Sequence, residues 1–294
     1  MTTATIDNKV KQVVSNIRNL PTPPIVFHQI QRVIGQPSSS ASEVAKILAE
    51  DPAMSVKVLK LTNSAFYGLS REIESVKEAV VIVGMEAIKN LVLSASVLDM
   101  FKNKDLDADF QEKFWRHSLA SGFCCRILAK QLRDRGMVDA DAAFSAGLLH
   151  DVGKMVMTCF LPDEKQKIAE ARSSDNQSLD HELEARVLGY SHADIGAVLA
   201  EQWKLPAKLL DAIQNHHTPH DTTVDEPIAY HVHIGDYLAK RTFYDAEDAY
   251  LVGDLDPKLA DVMGLSEERI EELIEALREE YVKAETFMQM AGMK

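Results

Sequence analysis

A pair of adjacent polar residues ends an apolar run near the middle of the chain. The stretch GLLHDVGK, residues 147–154, contains His150 and Asp151 after two leucines, with Lys154 one helical turn beyond His150. An imidazole and a carboxylate that leave a core segment together indicate one of two things. They form a hydrogen-bonded pair at a helix end, or they lie at the centre of a metal site.

Further residues with the chemistry of metal ligands occur in the same part of the chain. Of the ten histidines, only His28 precedes residue 117. The later candidates lie in helical, substantially apolar contexts, and SHADIG begins a helix while NHHTP ends one. These candidates are His117, His192, His216, His217 and Asp236.

Imidazole and carboxylate together suit Fe, Mn, Zn or Co. An aspartate has two oxygens and can bridge two ions that lie about 3.5–4 Å apart, so Asp151 is the expected bridge. The first ion would be held by His117, His150, Asp151 and Asp236. The second would be held by Asp151, His192, His216 and His217.

Such a site would perform phosphoester chemistry. A water shared between two divalent ions loses its proton near neutral pH and can attack an ester phosphorus. Asp151 and Lys154 are the expected catalytic residues, with Lys154 neutralising a phosphate oxygen. Two divalent ions are expected as the cofactor, with Fe or Mn favoured and Zn, Ni or Co as alternatives.

Each candidate also has a simpler interpretation. A single His117 or His192 is typical of a hydrogen-bonded helix histidine, and the pair His216–His217 is typical of a helix C-terminus, where cationic imidazole is favourable. A metal-free structural protein would need other partners for all these polar groups if they are buried. The remaining histidines of this region are expected to be non-ligands: His181, His220, His231 and His233.

The composition limits the possible partners. The 294 residues have 46% hydrophobic and 26% charged side chains and a formal charge of −13, which disfavours general binding to nucleic acid or anionic membranes. The first residues, MTTATIDNKVKQVV, lack a signal-peptide core, and the longest apolar run, AVVIVGM at 79–85, is too short to span a membrane. Three cysteines without CxxC spacing indicate a reduced, cytoplasmic setting.

Helical patterns predict an all-α fold. Ser40 and Glu43 form a predicted capping box, Asp51 is a predicted N-cap before Pro52, and Ser266 is expected to cap the amphipathic tail helix. Residues 75–101 are apolar on nearly all sides at the start of the segment and predict one central helix. The charged stretch 102–110 is the best internal boundary. We expect an N-terminal helix at 1–19, a helical part at 20–105, a metal-site part at 106–245 and a C-terminal amphipathic region at 246–294.

The order His117, His150–Asp151, Asp236 resembles the H…HD…D pattern of the HD-domain metal-dependent phosphohydrolases, and LLHDVGK is similar to their most specific short motif. His192, His216 and His217 lie where the HD-GYP branch, which hydrolyses cyclic di-GMP, has additional metal ligands. The stretch that begins with the paired histidines, HHTPHDTTVDEP, lacks the DGxGYP hallmark of that branch. This absence argues against cyclic di-GMP as the substrate. Lys113 stands four residues before His117, where some HD-GYP proteins have an acidic ligand, so a third ion is not expected.

The predicted helical part at 20–105 resembles the HDOD domain, an all-helical relative of the HD phosphohydrolases that is found in bacterial signalling proteins. The resemblance rests on LPTPPIVFHQIQRVI, ILAEDPAMSVKVLKLTNSAFYG and IESVKEAVVIVGMEAIKNLVL and extends from about Leu20 to Leu238. It implies an HD-type multi-helical fold with an N-terminal helical subdomain. It also implies a signalling or output protein with a metal-binding pocket, whose partners would be signalling proteins or a small phosphorylated ligand. The alternative is an active metal-dependent phosphohydrolase; the oligomeric state is left open.

Overall fold

The computed structural model describes residues 3–102, 106–132, 138–222, 226–246 and 248–293. Within these ranges the regular structure is helical and contains no strand, which confirms the predicted all-α class. Part of the predicted boundary stretch 102–110, namely residues 103–105, lies outside the described residues.

The α-helices follow one another with short connections. The first six are α1 Thr3–Ser15, α2 Ile25–Ile34, α3 Ala41–Ala49, α4 Pro52–Thr62, α5 Val76–Val83 and α6 Met85–Phe101. The next six are α7 Ala108–Gln131, α8 Ala140–Leu149, α9 Val152–Phe160, α10 Pro162–Ser174, α11 Asp180–Leu188 and α12 His192–Gln202. The last five are α13 Ala207–Asn215, α14 Glu226–Phe243, α15 Pro257–Met263, α16 Glu267–Tyr281 and α17 Glu285–Ala291.

The chain forms two compact units, each made of two stretches of sequence. The first unit contains Met1–Leu20 and Lys104–Glu279, and the second contains Pro21–Asn103 and Glu280–Lys294. All the predicted site residues belong to the first unit.

The predicted caps are confirmed. The Glu43 backbone N–H donates to Ser40 Oγ at 3.3 Å, and the Ser40 backbone N–H donates to Glu43 Oε2 at 3.0 Å. Asp51 Oδ1 accepts from the backbone N–H of the third residue of α4 at 2.9 Å, and Pro52 is the first residue of that helix. Before α16, Ser266 Oγ accepts from a backbone N–H at 3.2 Å. Each cap satisfies a donor that the first helical turn leaves unpaired.

The prediction of one central helix over residues 75–101 is wrong. The segment breaks at Gly84, and α5 and α6 are bent by 117°. Gly84 has φ of 96°, a conformation that a residue without Cβ adopts without steric cost. The second half, α6, is buried on most of its sides. No single described helix has the length and hydropathy to cross a membrane; only the bent pair α5 and α6 passes that test.

In the first unit, α7 is the central helix and packs against α8 and α14. Nearly every residue of α7 from Phe114 to Ala129 is buried, and so is every residue of α8 from Ala142 to Leu149. Cys124 and Cys125 lie in this buried part of α7 and form no disulfide bond. A second group of contacts joins α12 to α9 and α13. These two groups of packed helices hold the site between them.

Candidate metal centre

The predicted ligands lie at a helix junction, at helix ends and within two long helices of the first unit. His150 and Asp151 form the junction between α8 and α9 and are 0% and 2% exposed. The other five positions are His117 within α7, His192 at the start of α12, His216 and His217 directly after α13, and Asp236 within α14.

The first cluster surrounds the imidazole of His117. Its Nε2 lies 3.0 Å from Asp236 Oδ1, 3.3 Å from His150 Nε2 and 3.5 Å from Asp151 Oδ2. His150 Nε2 is in turn 3.5 Å from both carboxylates. Two imidazole nitrogens and two carboxylate oxygens therefore face one small volume.

The second cluster surrounds the other oxygen of the same aspartate. Asp151 Oδ1 lies 3.0 Å from His192 Nε2 and 3.7 Å from His216 Nε2. His217 Nε2 is 3.0 Å from His192 Nε2. Asp151 thus directs Oδ2 toward the first cluster and Oδ1 toward the second, and all seven predicted ligand residues are brought together.

The donor atoms fit a divalent metal ion. Among the described residues, Asp151 Oδ1, Asp236 Oδ1 and His216 Nε2 are buried and accept no hydrogen bond of regular geometry. Such orphaned groups cost free energy unless a partner satisfies them. Ring nitrogens that face each other at 3.0 and 3.3 Å give the same indication, since a shared cation can take the place of a proton between them.

Hydrogen bonds at the far ring nitrogens aim the imidazoles inward. His150 Nδ1 donates to the carbonyl of Gly147 at 2.6 Å, and His216 Nδ1 donates to the carbonyl of Ile213 at 2.7 Å. In both rings the proton is therefore held on Nδ1, which leaves the Nε2 lone pair for a ligand in the cluster.

Glu184 orients a third imidazole and was not predicted. Its Oε2 accepts from His192 Nδ1 at 2.6 Å and from the His192 backbone N–H at 2.7 Å. Glu184 is 5% exposed although it is charged. The sequence offered only a weak signal for it, an acidic residue beside the apolar Leu183 in HELEARVL, eight positions before His192.

Two lysines neutralise the two aspartates. Lys154 Nζ lies 2.9 Å from Asp151 Oδ2 and 3.5 Å from Asp180 Oδ2. Lys240 Nζ donates to Asp236 Oδ2 at 2.8 Å. Lys240 and Asp180 were also not predicted. The position of Lys240, four residues after Asp236 on α14, was the available signal, because such pairs share a helix face.

The electrostatics keep the carboxylates charged and most imidazoles neutral. Burial alone would raise the pKa of Asp151 and Asp236, but the lysine charges and neighbouring imidazoles hold both pKa values well below the usual range. Burial lowers the pKa of His216 to about 3 and also lowers that of His117. Ionised carboxylate and neutral imidazole are the protonation states that bind metal.

His192 behaves differently. Burial opposes its positive charge, but the carboxylates of Glu184 and Asp151 together outweigh burial and raise the pKa of His192 to about 9. Without a metal, His192 therefore carries a proton on each ring nitrogen at neutral pH. A cation that takes the place of the Nε2 proton leaves the Nδ1–H bond to Glu184 intact.

The histidines expected to be non-ligands lie around the clusters. His181 stacks on His217 with ring centroids 3.8 Å apart, and His233 Nδ1 donates to the His216 carbonyl at 2.8 Å. His220 Nε2 lies 3.2 Å from Asp256 Oδ2, and His231 is buried. Their exclusion from the ligand set stays a prediction.

Two clefts reach the clusters. The first, of about 340 Å³, is lined by His117 and Asp151 together with several aromatic residues, and we call it the aromatic cleft. The second, of about 270 Å³, is lined by His217 and Asp236. Both clefts are also lined by Lys154. The buried ligand groups are therefore accessible to a small molecule from two sides.

The chain has an all-helical fold with a buried cluster of histidines and aspartates, as the resemblance to the HDOD domain implied. Residues 20–219 match the HDOD domain family, so the chain is a member of that family, as the sequence predicted.

Three relatives illustrate the similarity. An uncharacterised protein of Treponema pallidum is 29% identical over 81% of this chain, and the match spans 45% of that protein, less than half of its length. Ribonuclease Y of Pelobacter propionicus is 33% identical over 37% of this chain and 15% of its own length. A crystal structure from Shewanella amazonensis, named only provisionally as a phosphohydrolase, has 23% identity and a TM-score of 0.72, with coverage of 96% and 97%. The last likeness concerns the fold alone.

Proposed function

We propose that this protein is a metal-dependent phosphohydrolase that acts on a small phosphate ester. The observation that supports this most directly is the position of Asp151. It offers one oxygen to each histidine cluster and at the same time lines a cleft that a small molecule can enter. A purely structural metal site is closed, whereas a catalytic site has an open position.

In this proposal each cluster would hold one ion, and Asp151 would contribute one oxygen to each. The first ion would have the ligands His117, His150, Asp151 and Asp236, and the second would have Asp151, His192, His216 and His217. Bound divalent cations would lower the pKa of a water molecule and stabilise negative charge on the phosphate oxygens. Mixed nitrogen and oxygen ligands favour Fe or Mn, with Zn, Ni or Co as alternatives.

The chain's own residues position and neutralise the reacting groups. Lys154 lies between the two clefts and is paired with Asp151 and Asp180, so its ammonium can pass from Asp180 to a phosphate oxygen without leaving Asp151. Glu184 holds the His192 ring through Nδ1. Lys240 compensates the second buried carboxylate, Asp236, and reduces the cost of keeping that ligand ionised.

The relatives support the reaction class. Ribonuclease Y is by name an enzyme that cleaves phosphodiester bonds, and the Shewanella protein is named, provisionally, as a phosphohydrolase. Because these matches cover part of the relatives or concern the fold alone, they favour phosphoester chemistry without specifying the substrate.

The test is turnover by metal-loaded protein. Protein purified without chelator is analysed for metal, loaded with Mn(II) or anaerobically with Fe(II), and assayed on aryl phosphate mono- and diesters. We expect turnover that Asp151→Asn abolishes. Asp261→Asn, the same chemical change at an exposed residue of α15 outside the ligand set, should retain it. A metal-loaded protein that hydrolyses no ester contradicts the proposal, and a protein that binds no metal contradicts the ligand assignment as well.

A second candidate function is a signalling output module that acts through protein contacts. It is favoured by large apolar side chains exposed on the second unit, where Ile25 is 76% exposed, Val56 60% and Val81 65%. Exposed apolar residues mark interaction surfaces when they form a patch. In the native host, a deletion phenotype restored by Asp151→Asn but not by Val81→Asp would favour this candidate. The reverse pattern would favour the hydrolase.

A further inference from the structure

The aromatic cleft has a wall of rings beyond the metal clusters. Phe110 and Phe114 stack with centroids 6.1 Å apart, and Phe243 and Tyr244 line the same cleft. The Phe110 ring already attracts a cation of the chain itself, because Lys165 Nζ lies 5.2 Å from its centroid. Aromatic faces attract cations through the ring quadrupole and offer nothing comparable to an anion.

Carboxylates accompany these rings. Among the described lining residues, four aspartates belong neither to the metal clusters nor to the ion pairs of Lys154: Asp107, Asp109, Asp245 and Asp248. Asp151 and Asp180 bring the number of carboxylates that line this cleft to six, against three basic side chains.

The basic side chains of the cleft have acidic partners. Lys113 Nζ lies 3.4 Å from Asp109 Oδ2 and 3.9 Å from Asp248 Oδ2, and Arg116 pairs with Glu112. Lys154, the third, pairs with Asp151 of the metal clusters and with Asp180. The part of the cleft beyond the clusters is therefore aromatic and net negative, which repels a second phosphate or a nucleic-acid backbone.

We infer that the aromatic cleft binds a cationic group carried by the substrate, such as a quaternary ammonium or a protonated amine. The substrate class is then a small zwitterionic phosphate ester, with its phosphate at the metal clusters and its cation among the rings and carboxylates. The phosphate end of this inference rests on the proposed hydrolase function. The cationic end rests on the cleft alone.

The test of this inference compares the binding of two ligands that differ only in charge. Binding of phosphocholine and of its carbon isostere, 3,3-dimethylbutyl phosphate, to the Mn(II)-loaded protein is measured by calorimetry. Cation recognition by aromatic rings predicts roughly 3- to 30-fold tighter binding of phosphocholine. Phe243→Leu and the double substitution Asp245→Asn/Asp248→Asn should each reduce this ratio, whereas Asp261→Asn should not change it. Equal affinities, or a preference for the neutral ligand, overturn the inference.

The outcomes separate this inference from the proposed function. Preference for phosphocholine without turnover of any ester supports the cation subsite and contradicts the hydrolase. Turnover of an ester together with equal binding of both ligands supports the hydrolase and contradicts the cation subsite. If neither phosphate binds, choline is compared with 3,3-dimethylbutanol by saturation-transfer NMR on the same protein. Selective binding of choline then supports the subsite, and no selectivity overturns it.

Discussion

Glu184 accepts two hydrogen bonds from His192, one from ring Nδ1 at 2.6 Å and one from the backbone N–H at 2.7 Å. A single buried carboxylate on α11 therefore fixes both the start of α12 and the orientation of its first side chain. Carboxylates that hold a histidine in this way raise the basicity of the opposite nitrogen and strengthen its bond to a metal.

We expect Glu184→Gln to weaken metal binding. The amide removes the negative charge that supports His192, so the affinity for Mn(II) or Zn(II) should fall about 10- to 100-fold. Competition with a chromophoric chelator measures the change. Glu279→Gln, at an exposed residue of α16, is the matched control and should leave the affinity unchanged. An unaltered affinity in Glu184→Gln would show that Glu184 acts only on the backbone of α12.

The metal-free protein should be most stable near pH 6.5. The pKa of His192 is raised from 6.5 to about 9, so its stabilising charge is fully present below pH 6.5 and is lost as the pH rises through 9. The pKa of His216 is lowered from 6.5 to about 3, so the unfolded chain binds the extra proton and stability falls as the pH drops below 6.5.

Urea denaturation of the metal-free protein at pH 5.5, 6.5 and 8.5 measures this profile. The alkaline loss due to His192 is at most about 3.5 kcal/mol, since each pKa unit corresponds to about 1.4 kcal/mol. His192→Gln should flatten the alkaline side and leave the acid side in place. A free energy of unfolding that stays constant from pH 6.5 to 8.5 in the wild type argues against the His192–Glu184 ion pair.

The two clusters should lose their ions separately. His216→Ala removes a ligand from the second cluster only, because its Nε2 faces Asp151 Oδ1, whereas His117 faces Oδ2. We expect elemental analysis to show two ions per chain in the wild type and one in His216→Ala. His117→Ala should likewise retain one ion, and Asp151→Asn should reduce both sites. Loss of both ions in either histidine variant would contradict independent clusters.

Gly153 permits the close approach of α9 and α12. A Cβ built on Gly153 would lie 1.9 Å from the carbonyl oxygen of His192, which is far inside van der Waals contact. Gly153→Ala must therefore separate the two helices, and we expect a loss of about 1–3 kcal/mol in the free energy of unfolding. Gly35→Ala is the matched control, because its nearest atoms are 3.6 Å from the built Cβ. Equal denaturation midpoints for the two variants would contradict this reading of the helix contact.

Features that depend on neighbouring residues were predictable. Ser40, Asp51 and Ser266 cap helices as expected, because a cap needs only a polar side chain and the backbone of the next turn. The break at Gly84 was not predicted. Its sequence context is apolar on both sides, and glycine tolerates both a helical conformation and the positive φ that it adopts here.

In the site too, residues that a local sequence pattern marks were predicted and residues without such a pattern were missed. The seven candidate ligands were found by residue type and by resemblance to known motifs, and the structure brings them together. Glu184 and Lys240 were missed because glutamate and lysine are most often exposed, and nothing local marks these two as buried. The aromatic cleft combines residues from α7 with residues that follow α14, so it has no signature in any one segment.

The sequence by itself determined the helical class, the family and the chemistry of the side chains, since periodicity, capping and motif are properties of short segments. Only the tertiary structure decided that Asp151 turns its two oxygens to different histidine clusters, that Glu184 supports His192, and that carboxylates and rings line the cleft beside them. The reason is physical: these relationships join residues on different helices, and their distances are set by the packing of α7, α8, α9, α11, α12, α13 and α14.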